Sequence, residues 1–182
     1  MSDVKPRKTN LLNPIVMAAA GLVLGALSRV FDIYCQTLGE IFSQMAIWIL
    51  LGTLIAIYSP TVKNAMLNIL VFCLSMLAAY YAAAIITHGV YAWSYIKKWT
   101  VFALFSPFMA YFARMTKYRG VLPKIVALGI TAVSVLSSIL LFGRLRLYDF
   151  IIDGLLVYFL FFKKSPDTVP PLQKKQDVRP HQ

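Results

Sequence analysis

Along most of this chain the apolar positions run on rather than alternate with polar ones. Six such runs stand out, near residues 12–31, 41–58, 65–88, 99–116, 123–142 and 147–162. A helix that is apolar all round has no face to give to water, so it must be surrounded by protein or by lipid. A helical span of a bilayer needs roughly 17–25 residues. The first five runs meet that length. The sixth, LYDFIIDGLLVYFLFF, is shorter and carries Asp149 and Asp153, but Lys163 and Lys164 end it abruptly. The breaks carry turn chemistry: Ser59-Pro60 after the second run, Gly120 and Pro123 between the fourth and fifth, and Gly143 before the sixth. The pattern predicts an all-α fold, a polytopic bundle of six transmembrane helices over residues 1–162. The remaining 163–182, rich in Pro, Lys, Gln and Asp, reads as a disordered cytoplasmic tail. No internal repeat and no linker to a second domain is visible.

Composition strengthens this reading. Of 182 residues, 59% are hydrophobic and 14% charged, with mean hydropathy +0.71. A soluble domain has about 45–50% apolar and about 25% charged residues. The net charge of +11 would suggest nucleic acid in a soluble protein. Here the bases flank the apolar runs, so membrane topology accounts for them. The expected partner is the lipid bilayer, and no nucleic acid is expected. With the N-terminus in the cytoplasm, 13 of the 18 Lys and Arg fall on the inner side. The outer side holds Arg29, Lys97, Lys98, Arg144 and Arg146. Tyr91, Trp93, Tyr95 and Trp99 then form an outer aromatic belt, and Tyr58 and Tyr118 an inner one. The expected home is the plasma membrane, multi-pass, with both termini cytoplasmic. The polar start, MSDVKPRKTN, shows no cleavage site after a short apolar core, so a cleaved signal peptide is not expected.

Little in the chain resembles catalytic chemistry. Cys35 and Cys73 form no CxxC pair and no metal-ligand spacing, so no metal and no cofactor is expected. HExxH, GxSxG and the P-loop are absent. Tyr148-Asp149 lacks the second, GxGD-type aspartate of intramembrane proteases, and no enzyme is expected. What remains is a scarcity of acids. Of seven, Asp32, Glu40, Asp149 and Asp153 fall in or beside apolar runs, all toward the outer side. Asp149 and Asp153 stand one turn apart on one helix face. A charge at such depth costs roughly 2.5–3.5 kcal/mol on insertion scales unless compensated. Arg29, Arg144 and Arg146 are the expected counter-charges, and Asp153 the expected most consequential single residue. His88 ends the third run, and Gln44 and Trp48 stand four residues apart in the second. These residues predict a polar, partly aromatic pocket open to the outside. They equally suit structural ion pairs that fix helix register.

The first helix carries Ala18, Gly21 and Gly25 on one face, continued by Ser28 and Arg29. Small residues at this spacing let two helix backbones approach closely in lipid. The face serves either packing within the chain or docking of a partner protein. Pro107 removes a backbone donor from the fourth helix and is expected to kink it. Thr131, Ser134, Ser137 and Ser138 of the fifth are expected to hydrogen-bond neighbouring helices.

The runs GLVLGALSRVFD, FSQMAIWILLGTLIA and LSMLAAYYAA resemble a family of uncharacterised six-span bacterial membrane proteins. That family has a Gly-rich first helix, a Trp-bearing second and a Tyr-Tyr pair in the third. The likeness covers roughly residues 15–85 and implies a bacterial plasma membrane. The layout is also similar to the substrate-binding S-components of energy-coupling-factor vitamin transporters. There an AxxxA face of the first helix docks the coupling subunit, and substrate binds in the outer half. Ala18, Gly21 and Gly25 stand in for that face here, as GxxxG. The expected function is therefore non-enzymatic: binding a small polar solute from the outer side, as a substrate-binding subunit of a transporter. Arg29, Asp32, Gln44, Trp48, His88, Asp149 and Asp153 would form its site. The alternative is an accessory or immunity-type protein that acts by binding another membrane protein.

Overall fold

A computed structural model describes residues 12–42, 44–89, 93–118, 120–142 and 146–162. The N-terminal Lys5, Arg7 and Lys8, the belt residue Tyr91, Arg119, Gly143, Arg144 and the tail 163–182 lie outside the described residues. All regular structure among the described residues is helical: α1 (Pro14–Tyr34), α2 (Gln36–Phe42), α3 (Met45–Tyr58), α4 (Val62–Ile86), α5 (Trp93–Met115), α6 (Val121–Phe142) and α7 (Leu147–Val157). A π-helical turn, Tyr158–Phe162, extends α7. Three stretches, Pro14–Tyr34, Val62–Ile86 and Val121–Leu140, are long and apolar enough to cross a membrane alone. Counting α2 and α3 as one broken span makes four. α5 is long enough but carries Lys97 and Lys98 in its second turn, and α7 with its π turn is short.

Local chemistry sets the ends. Asn13 accepts a hydrogen bond from Val16 N–H at 2.9 Å, and Pro14 follows as the first helical residue of α1. Thr61 caps α4 in the same way through Asn64 N–H at 3.1 Å. Tyr58 ends α3 just before Ser59-Pro60, as the turn chemistry predicts. The helix α5 continues through Pro107. Proline at 107 leaves the Ala103 carbonyl without its helical N–H, and the Ser106 hydroxyl donates to that oxygen at 2.6 Å.

The second apolar run departs from expectation. It is not one helix over 41–58 but two, beginning at Gln36 and bent by 56° between Phe42 and Met45. The Trp48 indole N–H donates to the Phe42 carbonyl at 2.8 Å, and the two rings meet edge to face. That bond reaches across the break and satisfies a carbonyl that the end of α2 leaves free.

α1 and α4 run parallel and pack most closely of all the helices. A Cβ on Gly21 would sit 2.5 Å from the Phe72 carbonyl oxygen, and one on Gly25 would overlap that of Met76. The glycine face is therefore buried inside the chain, with Ala18 half-buried at its edge. At the base, the buried Asn68 amide donates to the Leu12 carbonyl at 3.0 Å and to the Ser59 hydroxyl at 3.1 Å. The Arg114 guanidinium donates to the Ile57 carbonyl at 2.7 Å, tying the end of α5 to the end of α3. α6 and α7 are antiparallel, with Ala127, Ile152, Leu156 and Leu160 packed against Ala46 and Leu50 of α3. Outward faces stay apolar: Leu128 is 64% exposed and Phe105 59%. In water such a surface would aggregate, whereas lipid is its natural solvent.

Candidate functional site

The polar groups singled out from the sequence gather at the end of the bundle where α1 finishes, in two clusters joined by α2. In the first, the Asp32 carboxylate accepts from the Tyr80 hydroxyl at 2.7 Å. Arg29 Nε–H donates to the Thr87 hydroxyl oxygen at 3.0 Å. Its guanidinium lies over Gly89, where any Cβ would overlap Nη2. Gly89 N–H bonds the Ala84 carbonyl at 2.8 Å and His88 N–H that of Ile85 at 3.2 Å. This pair of hydrogen bonds closes α4 as a Schellman-like turn, with His88 in the left-handed region at φ 49°. His88 thus shapes the helix end, and its side chain is exposed.

The second cluster starts one residue along α2. Gly39 packs against Asp32, and the next residue, Glu40, accepts from Arg146 Nη1 at 2.6 Å. The Tyr148 hydroxyl lies within hydrogen-bond reach of both. Hydrogen bonding to Tyr148, with Glu40 and Asp149 adding charge attraction, raises the pKa of Arg146, so the cation persists at any physiological pH. Asp149 is fully buried and caps α7, accepting Arg146 N–H at 2.8 Å. The Ser138 hydroxyl makes a longer contact with it at 3.5 Å. One turn below, the Asp153 carboxylate accepts from the Ser134 hydroxyl at 2.6 Å. The expected partnership of Asp153 with a base gives way to a neutral hydroxyl, because Arg146 reaches Glu40 and Arg29 reaches Thr87. Of the four hydroxyl residues of α6, Ser134 and Ser138 face α7. Thr131 and Ser137 bond carbonyls of their own helix.

Gln44 stands at the α2–α3 break. It is fully buried, and neither side-chain amide atom has a hydrogen-bond partner among the described residues. Trp48, one turn on, faces a different environment. It borders a cavity of about 380 Å³ lined by α3, α4, α5 and α6 and open on one side. Its walls are apolar, with Trp48, Phe72, Trp99, Phe102 and Ile130 among them, and Thr53, Cys73 and Ser106 supply the few polar atoms. Ser106 spends its hydroxyl on Ala103. Gly52 of α3 and Gly129 of α6 open onto the cavity, and a Cβ at either would meet nothing within 4 Å.

The structure therefore brings Arg29 and Asp32 to one end of the bundle, and Asp149 with Asp153, each satisfied by groups of the chain itself. Trp48 alone of the expected ligand residues lines the cavity, and His88 lies outside it. Sequence reasoning missed the cavity. Its signal was a stripe of small residues on α5, Ala103, Ser106, Ala110 and Ala113, facing two glycines that no close packing requires. Among the described residues no cluster of three or more His, Cys, Asp or Glu could hold a metal ion. No family model matches this chain, and neither the curated proteins nor the solved structures contain a match.

Proposed function

We propose that this chain is a six-span, non-enzymatic protein of the bacterial plasma membrane, both ends cytoplasmic, that binds a ligand among its helices. The cavity between α3 and α6 carries this reading, because its volume falls in the range of small-molecule sites, about 300–1,000 Å³. α5 and α7 complete the six spans, since each runs between the same two ends of the bundle as its neighbours. The orientation rests on the charge bias. Cysteine labels at Thr37 and Lys97, in a background lacking Cys35 and Cys73, are expected to react with an impermeant reagent in whole cells. Labels at Thr61 and Lys124 should react only after the membrane is opened. The reverse pattern would invert the topology.

A small polar solute at the outer end would have to displace Tyr80 from Asp32 or Arg146 from Glu40. That internal pairing favours the second reading, an accessory or immunity-type protein that binds another membrane protein. Thermal-shift measurements on purified protein separate the readings. Wild type, Asp153→Asn and Gly129→Leu are screened against polar metabolites and against amphiphiles. A wild-type shift lost in Gly129→Leu supports ligand binding in the cavity. A shift lost only in Asp153→Asn supports a polar solute at the outer end. With no shift from any compound, ligand binding is overturned and the accessory reading stands.

A further inference from the structure

We propose that the cavity is the site of one extended hydrocarbon chain whose anionic head group is held by Lys97 and Lys98. This rests on the ligand-binding reading and names its ligand class. The first observation is length. The cavity wall on α5 runs from Trp99 to Ala113, roughly 20 Å at 1.5 Å per residue. That is a slot the length of a lipid tail rather than a pocket shaped for a compact solute. The second is chemistry. The wall offers almost no free polar group, so a polar solute would enter at the full cost of its dehydration. A hydrocarbon chain gives up no hydrogen bonds on entering and packs closely against the walls.

The third is what the fold leaves empty. Gly21 and Gly25 are needed because backbone lies against them, but Gly52, Gly129 and Gly154 meet nothing within 4 Å, and the first two of these line the cavity. Glycine costs helix stability relative to alanine, and at these two positions no neighbouring group packs into the room it leaves. An occupant of the cavity supplies the reason. The fourth is charge. Lys97 and Lys98 are exposed at the start of α5, directly before the lining residue Trp99, and Lys98 stands one turn before the lining Phe102. In the proposed topology they lie on the outer side, against the usual placement of lysines. An anionic head at the rim, beside the exposed Lys97 and Lys98, with its chain running down the slot, accounts for the cavity. The head could be a carboxylate or a phosphate, and a fatty acid or a single-chain phospholipid would supply it.

The test uses the full-length protein in detergent and cis-parinaric acid, a fluorescent fatty acid whose absorption overlaps the emission of Trp48 and Trp99. Saturable binding with energy transfer from tryptophan is expected in wild type. Gly129→Leu should weaken it by at least about tenfold, since the new side chain occupies the slot. Its thermal midpoint should stay at or above wild type, which separates a loss of binding from a loss of fold. Gly52→Leu provides a second filling variant on another helix. The double variant K97Q/K98Q should weaken parinaric acid and lysophosphatidylglycerol by about tenfold while leaving the matching fatty alcohol unchanged. Competition by oleate against lysophosphatidylglycerol ranks carboxylate and phosphate heads. Non-saturable uptake, or unchanged saturable binding in both filled variants, would reduce the interaction to ordinary annular lipid and overturn the inference. If Gly129→Leu abolishes a thermal shift given by a compact metabolite while parinaric acid never binds, the ligand-binding reading survives and the hydrocarbon assignment falls.

Discussion

Gly25→Leu is expected to yield no stable, monodisperse protein. A Cβ at this position already overlaps the Met76 carbonyl oxygen, and Ala79 Cβ stands 3.0 Å away. Overpacking a core costs about 1–3 kcal/mol when side chains can yield. Here the obstacle is the α4 backbone, so the helices must separate along their most closely packed interface. Van der Waals packing is a main source of attraction between helices in lipid, where no hydrophobic drive joins them, and separation forfeits it. Even Gly25→Ala should lower the thermal midpoint in detergent. Gly129→Ala is the matched control: it meets open space, gains helix propensity, and should stabilise by up to about 1 kcal/mol. Circular dichroism against temperature reads both, with size exclusion for the leucine variant. A Gly25→Leu protein as stable as wild type would mean that α1 is not seated on α4. The glycine face would then be free for a partner protein.

Asp149→Ala should be the most damaging change among the acids, at about 2 kcal/mol. Its carboxylate is fully buried and caps α7 through Arg146 N–H, in a segment that has only three turns before the π-helical end. Alanine removes this acceptor and leaves the half-buried Arg146 N–H without its partner. Asparagine keeps a carbonyl oxygen that can accept the same bond, so Asp149→Asn should recover most of the loss. Asp153→Asn should stay close to wild type, because the Ser134 hydroxyl can donate equally to an amide oxygen. Thermal midpoints of the three variants, measured side by side, check the ranking. Asp153→Asn falling below Asp149→Ala would reinstate Asp153 as the central acid and argue for a charged partner.

That ranking reverses the expectation drawn from depth alone. Along the sequence, Asp153 lies deeper in its apolar run than Asp149, and depth sets the cost of a charge. Which residue anchors α7 depends on the helix boundary, and Leu147 as the first helical residue makes Arg146 the N-cap and Asp149 the third helical residue, which accepts the Arg146 N–H. A shift of one turn would have exchanged their roles. His88 shows the same limit. A lone histidine at the end of an apolar run reads as a ligand, but whether it binds or turns the chain depends on a backbone angle.

The membrane environment of the chain and the positions of most of its helices were legible in the order of its residues. Runs of apolar residues report the solvent directly, because each residue adds to the transfer free energy wherever its neighbours lie. Ser59-Pro60 marks a helix end through chemistry that reaches only three or four residues, and the caps Asn13 and Thr61, seen in the structure, act over the same short range. The GxxxG of α1 announced a close approach but not its partner, which proved to be α4, a second helix running the same way. The break at Gln44, the pairing of Glu40 with Arg146 across 106 residues, and the cavity came into view with the folded chain alone. Each of these depends on which helices are neighbours and at what rotation. Glycine has the same letter whether backbone lies against it, as at Gly25, or empty space does, as at Gly129.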